Sequence, residues 1–259
     1  MKHIEYRCAL AAEAVYHPMC DRKPVEKMGL PYARDSQVVN VFGSMDLYLT
    51  GSHRKQLFYD NRSKKYILAF DSTHLTDVAD LIQNAAQFST GQSEYYQQGI
   101  ALVQSIRPEY REKVILTGHS LGGGIASVAA CAAPVRAIVF NPPAIHQNLL
   151  NNFDSSAEEN ITRFVVAGEL LDIVNDVTNG GIRCAIGQRI SIEGKYQLSP
   201  MDIASIIPVI MNPNLLLALA LPLTLLINRS LKLHTMQQVL IGLKKHLAGK
   251  ETKQIEASE

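Results

Sequence analysis

The sequence predicts a single α/β domain, residues 1–259, with a mostly parallel central sheet flanked by helices. A chain of 259 residues is long enough for one domain with a large core, and no stretch has the composition of a linker. Short apolar runs alternate with segments of helical periodicity, which is typical of a mostly parallel sheet. At 113–133 an apolar run leads into a glycine-rich turn and then into small residues, so strand, turn and helix follow one another directly.

The N-terminal part of the chain contains predicted covering elements and a hairpin. Apolar residues at helical spacing predict a helix over 4–16, and a polar stretch follows it. Short apolar runs predict strands at 38–42 and 46–50. The runs 56–59 and 66–70 are separated by turn-forming residues, which predicts a β-hairpin that leads into a central strand.

Helices and strands then alternate along the chain. Periodicity and apolar runs predict helices over 76–87, 94–107 and 121–133, and strands over 113–117, 135–140 and 162–166. Because parallel strands share one direction, their carboxyl ends meet at the same edge of the sheet, where catalytic loops are found.

Residues 203–227 form the most apolar segment of the chain. Its three prolines, Pro208, Pro213 and Pro222, divide it into pieces shorter than the roughly 20 residues of a membrane-spanning helix. Two interpretations remain open. The segment is either a buried helical pair that completes the core, or a lid or docking surface that exposes apolar area to lipid. The polar end of the chain, 249–259, is predicted to be a flexible tail.

The turn Gly118-His119-Ser120-Leu121-Gly122 has the pattern of a nucleophile elbow. A side chain at either glycine would collide with the neighbouring strand and helix, and the strained turn directs the Ser120 hydroxyl into a cleft. The alternative is a glycine-rich turn with an inert serine, but the flanking strand and small-residue helix argue against it. We expect Ser120 to be the nucleophile and His119 to pack beneath the sheet, since adjacent side chains on a tight turn point apart.

A serine nucleophile needs a base and an acid that orients the base. After an elbow of this kind the partners follow in the order Ser, Asp or Glu, His. His146 comes too early for that order and His246 lies in a lysine-rich helix, so His234 is the predicted base. For the acid, Asp172 is preferred because both its neighbours are apolar, and Glu169 is the next candidate.

An oxyanion hole requires two N–H donors. The first is predicted at Leu121, directly after the nucleophile, and the second at Thr73, in the loop that follows the run 66–70. Thr73 is equally suited to a capping turn for the next helix, and the two roles are compatible.

Composition and the N-terminal residues limit the partners and the cellular location to be expected for this protein. The formal net charge is +1 and the basic residues are scattered, which argues against nucleic acid as a partner. The four cysteines lack metal-ligand spacing and are expected to be reduced thiols. Charges among the first seven residues interrupt the apolar run that a secretory signal needs. We expect no N-terminal signal peptide and cytoplasmic synthesis, with export by a specialised secretion system or peripheral membrane association as open routes.

Taken together, these motifs resemble the class 3, or fungal-type, lipases of the α/β-hydrolase superfamily. The matching segments, in the order of that family, are the hairpin and oxyanion loop at 60–73, the Asp-containing helix start at 76–81, the elbow at 114–124, Phe140-Asn141-Pro142, the acid motif Asp172-Ile173-Val174 and the histidine loop His234-Thr235-Met236. The chain departs from the family at Asp71-Ser72, where the family usually has Arg-Gly.

The resemblance implies an α/β-hydrolase fold and a serine carboxylic ester hydrolase acting on lipids, as a phospholipase A or an acylglycerol lipase. It implies a triad of Ser120, Asp172 and His234, an acyl-enzyme, and neither a metal nor an organic cofactor. Segment 203–227 favours a lipid substrate and contact with a membrane surface.

The alternatives are a thioesterase or short-chain esterase with the same triad, and a catalytically silent scaffold that binds lipid or a partner. A secreted bacterial lipase effector is a further interpretation, and it would require an inhibitor protein and a secretion partner.

Overall fold

The computed structural model describes residues 3–16, 26, 28–49, 55–71, 94–178, 183–211 and 221–256. The helices in these ranges are α1 (Ile4–Ala14), α2 (Asp35–Phe42), α3 (Asp46–Leu49), α4 (Glu94–Gln104), α5 (Leu121–Ala132), α6 (Gln147–Leu150), α7 (Leu170–Thr178), α8 (Pro200–Met211), α9 (Leu221–Leu233) and α10 (Met236–Glu256). The strands are β1 (Lys55–Asp60), β2 (Lys65–Phe70), β3 (Val114–His119), β4 (Arg136–Phe140), β5 (Ile145–His146), β6 (Ile161–Val166), β7 (Arg183–Cys184) and β8 (Gln188–Ile192).

A six-stranded sheet with the order β1-β2-β3-β4-β6-β8 forms the centre of the described structure. Strands β1 and β2 form the predicted antiparallel hairpin, and every other neighbouring pair in this sheet is parallel. Strands β5 and β7 pair separately. The predicted fold class, a mostly parallel sheet flanked by helices, is confirmed. The carboxyl ends of β2, β3, β4 and β6 therefore meet at one edge.

Both faces of the sheet are covered, because alternate residues of each strand point to opposite sides. On β3, Leu116 belongs to the cluster that contains α4 and α5, whereas its neighbour Ile115 belongs to the cluster that contains α1 and α10. Strand β3 is accordingly buried along its whole length. Burial on both sides is what a parallel sheet between helical layers requires.

The predicted strands at 38–42 and 46–50 are wrong, since these residues form α2 and α3. In α2 the buried side chains are Val38, Val41 and Phe42, which is the spacing of one helical face. The short apolar run favoured a strand, but tertiary packing of that face decides the outcome. Gly43, with φ of +80°, ends the helix in the left-handed conformation.

The C-terminal third is helical. Pro208 lies inside α8, so it does not divide the apolar segment as the sequence suggested. Helices α8 and α9 contact each other and both contact α7. Ile206 of α8 is buried, whereas Met201 and Leu225 are 78% and 59% exposed. The described part of the pair therefore combines buried core with exposed apolar side chains.

Three further segments complete the comparison with the sequence predictions: the polar end of the chain, residues 76–87 and strand β8. The polar end of the chain continues α10 through Glu256, so the predicted tail from 249 onward is helical up to that residue. The predicted helix over 76–87 lies outside the described residues. Strand β8 was not predicted, because its exposed, polar residues alternate weakly with apolar ones.

Candidate active site

Ser120 stands on a strained turn between β3 and α5. Its φ of 54° and ψ of −128° are a combination that non-glycine residues rarely adopt. A Cβ atom on Gly118 would lie 2.3 Å from the carbonyl carbon of Gly122, and one on Gly122 would lie 2.2 Å from the carbonyl oxygen of Phe70. The predicted need for glycine on both sides of the serine is therefore confirmed.

The elbow is fixed to the strands beside it. The Ser120 N–H donates to the carbonyl oxygen of Phe140 at the end of β4, at 3.0 Å. Leu121 begins α5, and the first N–H groups of a helix have few acceptors of their own. Thr73, the predicted second donor, lies outside the described residues. Asp71, two residues earlier, lies against Gly122, so the loop after β2 leaves from beside the elbow.

His234 and Glu169 form a short hydrogen bond. The Nδ1 atom of His234 lies 2.6 Å from Oε2 of Glu169, and the glutamate is fully buried. The carboxylate also accepts the backbone N–H groups of Leu171, at 2.9 Å, and Asp172, at 2.6 Å. Glu169 thus occupies the capping position of α7, where a carboxylate meets otherwise unpaired N–H groups and the positive end of the helix.

The sequence favoured Asp172 over Glu169 as the acid, but in the structure it is Glu169 that contacts His234. The Asp172 carboxylate pairs with Arg189 of β8, with Nη2–Oδ2 at 2.5 Å and Nε–Oδ1 at 3.2 Å. Asp172 lies in the first turn of α7, three residues after the cap, and its side chain is directed to β8 rather than to His234. The useful sequence signal was position, since Glu169 is the first carboxylate after the end of β6.

Burial controls the titration of these groups. It raises the pKa of Glu169 to about 8, against the opposing effect of the two backbone N–H groups and Arg189. It also lowers the pKa of His234 to about 4 and raises that of Asp172 to about 6, which the hydrogen bonds from Arg189 oppose. The Nε2 atom of His234 is buried and makes no hydrogen bond within the described residues. An imidazole that is oriented through Nδ1 and has no hydrogen-bond partner at Nε2 is suited to act as a general base.

Three side chains hold the loop that carries His234. Nε2 of His119 lies 2.6 Å from the carbonyl oxygen of His234, and Nδ2 of Asn141 lies 3.2 Å from the same oxygen. The Ser230 hydroxyl donates to the carbonyl oxygen of Gly168 at 2.8 Å, which joins α9 to the residue before Glu169. His119 is therefore directed toward His234, rather than simply packed beneath the sheet as predicted. Sequence reasoning gave no role to Asn141 or Ser230.

Among the residues that the structure describes, no three His, Cys, Asp or Glu side chains are grouped closely enough to hold a metal ion. In the same ranges, none of the helices combines the length and apolar character that crossing a membrane would require.

Comparisons with known proteins give a family and several relatives. The chain is 29% identical over 164 residues to the extracellular phospholipase A1 of Serratia liquefaciens. The matched segment covers 60% of this chain and 50% of that protein. This chain therefore spans about half the length of the curated relative that it matches.

Solved lipase structures are also similar. M37 lipase is 14% identical, with a TM-score of 0.45, over 82% of this chain and 91% of that one. The triacylglycerol lipase from Penicillium expansum is 12% identical, with a TM-score of 0.43, over 74% of this chain and 80% of that one.

The family model of phospholipase-like proteins described as the Tle-like phospholipase domain matches residues 7–216. The matched segment includes Ser120 and Glu169 and ends before His234. It covers most of the 259 residues, including every strand of the central sheet. This chain belongs to the Tle-like phospholipase domain family.

Proposed function

We propose that this protein is a serine carboxylic ester hydrolase that acts on lipids, with Ser120 as nucleophile, His234 as base and Glu169 as acid. The observation that carries the proposal is the 2.6 Å pair of His234 and Glu169, joined through the His234 carbonyl to His119, the residue that precedes the elbow serine. Membership of a phospholipase-like family supports the same reaction. Glu169 takes the place that the sequence alone assigned to Asp172.

The mechanism follows from these groups. Nε2 of His234 removes the Ser120 proton while Oγ attacks the ester carbonyl, and the carbonyl electrons move onto oxygen. The N–H of Leu121, and a second donor for which Thr73 is the candidate, stabilise the oxyanion. Collapse expels the alcohol, which takes the proton from His234. Water then attacks the acyl-enzyme, again with His234 as base, and the fatty acid leaves. Glu169 keeps the imidazole in the Nδ1–H tautomer and stabilises its charged form.

A phospholipid is the favoured substrate. The relative from Serratia liquefaciens is named a phospholipase A1, and the family description also refers to phospholipases. An acylglycerol remains the second substrate class, because ester chemistry at the reacting carbonyl is the same for both.

Membrane contact through α8 and α9 belongs to the same proposal. Leu225, Arg229 and Lys232 are exposed on α9, and their spacing of four and three residues places them on one helical face. An apolar side chain between lipid chains, with cations at the level of phosphate groups, is the pattern of an interfacial helix. Exposed Met201 on the adjoining α8 would extend this surface.

The test compares fatty-acid release from phospholipid vesicles and from emulsified acylglycerol by the wild type and by Ser120→Ala. Ser127→Ala is the matched control, because Ser127 is a buried serine of α5 whose hydroxyl donates to the Gly123 carbonyl, away from the base. We expect release by the wild type and by Ser127→Ala but not by Ser120→Ala. Full activity of Ser120→Ala would reject the mechanism.

A fluorophosphonate probe separates the alternatives. Labelling of Ser120 without lipid hydrolysis would indicate a thioesterase or short-chain esterase. A protein that neither hydrolyses esters nor takes up the probe would instead be a silent lipid-binding scaffold.

A further inference from the structure

We infer that Tyr16 and His119 form a positioning pair that holds the loop of the catalytic base in place. The inference rests on the proposed function and adds two residues to it. Tyr16 follows α1 near the N-terminus, and His119 directly precedes the nucleophile. The pair thus connects the first helix of the chain with the histidine loop near its end.

The direction of each hydrogen bond is fixed by chemistry. A carbonyl oxygen only accepts, so the 2.6 Å contact between Nε2 of His119 and the carbonyl of His234 requires a proton on Nε2. In the neutral ring Nδ1 then has no proton and must accept. The Tyr16 hydroxyl lies 2.8 Å from that Nδ1 and 3.4 Å from the carbonyl oxygen of His119, and it donates to Nδ1, the closer acceptor. Tyr16 therefore selects the one neutral tautomer of His119 that can hold His234.

Burial keeps His119 in its neutral form. It lowers the pKa of His119 well below the ordinary value, and the nearby His234 lowers it further. The two rings lie with their centroids 4.7 Å apart, so a charge on His119 would oppose the charge that His234 gains during catalysis. A neutral donor holds the loop without this cost.

The carbonyl oxygen that His119 binds belongs to His234, the proposed base, whose position affects the reaction rate. His234 is bound at its ring by Glu169 and at its carbonyl by His119 and Asn141. These contacts fix both the backbone and the side chain, and hence the direction of Nε2. A displacement of about 1 Å in a reacting group can reduce a rate about 100-fold. The expected signature of a lost positioning residue is a lower kcat at unchanged KM.

The experiment compares His119→Leu with His119→Gln. Leucine removes the donor, and we expect kcat for a soluble ester to fall about 100-fold with KM unchanged. The amide nitrogen of glutamine can replace Nε2 as donor, so His119→Gln should recover kcat to within about tenfold of the wild type. Tyr16→Phe should reduce kcat less than His119→Leu, because His119 keeps access to the required tautomer.

Thr117→Val is the control for stability. Its hydroxyl donates to the carbonyl of Ile138 at 2.7 Å from the same strand as His119, so the variant loses a buried hydrogen bond without touching His234. We expect a lower melting temperature with unchanged kcat. Wild-type kcat in His119→Leu, an equal loss in His119→Gln, or an equal loss in Thr117→Val would each overturn the inference.

A proton NMR measurement separates this inference from the proposed function. The proton in the short bond between His234 and Glu169 should give a far-downfield resonance, present in the wild type and in Ser120→Ala. We expect it to weaken in His119→Leu and to return in His119→Gln. Failure of the proposed function would appear as absent ester hydrolysis with this resonance intact, whereas failure of the positioning pair would appear as a resonance that His119→Leu does not change.

Discussion

At the level of single residues, two carboxylates three positions apart in the chain have different surroundings. Glu169 accepts two backbone N–H groups and the imidazole of His234, whereas Asp172 pairs with Arg189. Glu169→Gln should lower kcat about 10³-fold to 10⁴-fold, because the amide can donate to Nδ1 and stabilise the wrong tautomer. Asp172→Asn should keep kcat within about tenfold of the wild type, since its side chain does not touch His234.

Steady-state hydrolysis of a soluble ester measures both variants, and circular dichroism checks that each is folded. If Asp172→Asn lost as much activity as Glu169→Gln, or if Glu169→Gln retained wild-type kcat, the assignment of Glu169 would be wrong.

The same pair predicts how activity depends on pH. Catalysis needs neutral His234, so uptake of a proton by the pair stops it. The Glu169 carboxyl group lies 2.6 Å from Nδ1, and the proton that the pair takes up is shared across this bond, with the ionised carboxylate stabilising the imidazolium and moving this loss to higher pH. In Glu169→Gln this carboxylate is absent, so nothing from residue 169 opposes the burial that lowers the pKa of His234. The residual activity of that variant should therefore persist to lower pH than the activity of the wild type.

Profiles of kcat/KM between about pH 4 and about pH 9 would show the shift of the acidic limb. An acidic limb at the same pH in both proteins would mean that Glu169 does not share the proton of His234.

At the level of elements, the elbow depends on close backbone contact between β2 and α5. A Cβ on Gly122 would lie 2.2 Å from the Phe70 carbonyl oxygen, which cannot move without displacing β2. Gly122→Ala should therefore lower the free energy of unfolding by at least about 3 kcal/mol. Gly249→Ala is the matched control, because a Cβ there meets no atom within 4 Å and alanine in a helix should stabilise by about 0.5–1 kcal/mol.

Urea unfolding of the two variants measures the difference. A Gly122→Ala protein as stable as Gly249→Ala would show that the strand and the helix are not in the close contact described.

The sequence predicted long or strongly patterned elements better than short ones. The elbow was readable because strand, glycines and small-residue helix are contiguous, and the structure confirms each part. The short apolar run at 38–42 did not reveal the eight-residue helix α2, because the packing of Val38, Val41 and Phe42 on distant residues selects the helix.

At the level of the whole molecule, the site is assembled from contacts between residues far apart in the chain. His234 meets Glu169 across 65 positions and His119 across 115. Chain order identified His234, since the fold class restricts where a histidine can follow the nucleophile. Sequence patterns did not show whether Glu169 or Asp172 orients His234. Asp172 is paired with Arg189, and Arg189 lies in β8, a strand whose own sequence pattern is weak.

The placement of α8 and α9 on α7 leads to a prediction for the whole molecule. Glu169 caps α7, and both α8 and α9 contact that helix. Lipid bound by apolar side chains exposed on α8 and α9 would therefore lie close to the site. Leu225 is 59% exposed there, and burying a leucine in an apolar phase gains about 1.5–3 kcal/mol. Leu225→Asp should therefore reduce hydrolysis of anionic phospholipid vesicles about tenfold or more while leaving kcat/KM for a monomeric ester unchanged.

Leu49→Asp provides the matched control for this surface. Leu49 is 70% exposed on α3, a helix that contacts α2 and α4 rather than α7, so its substitution should change neither activity. Vesicle sedimentation with the inactive Ser120→Ala background would report binding separately from turnover. Equal vesicle activity in Leu225→Asp and Leu49→Asp would exclude α9 as the lipid-facing surface, because a helix inserted among lipid chains cannot accept a buried carboxylate at no cost.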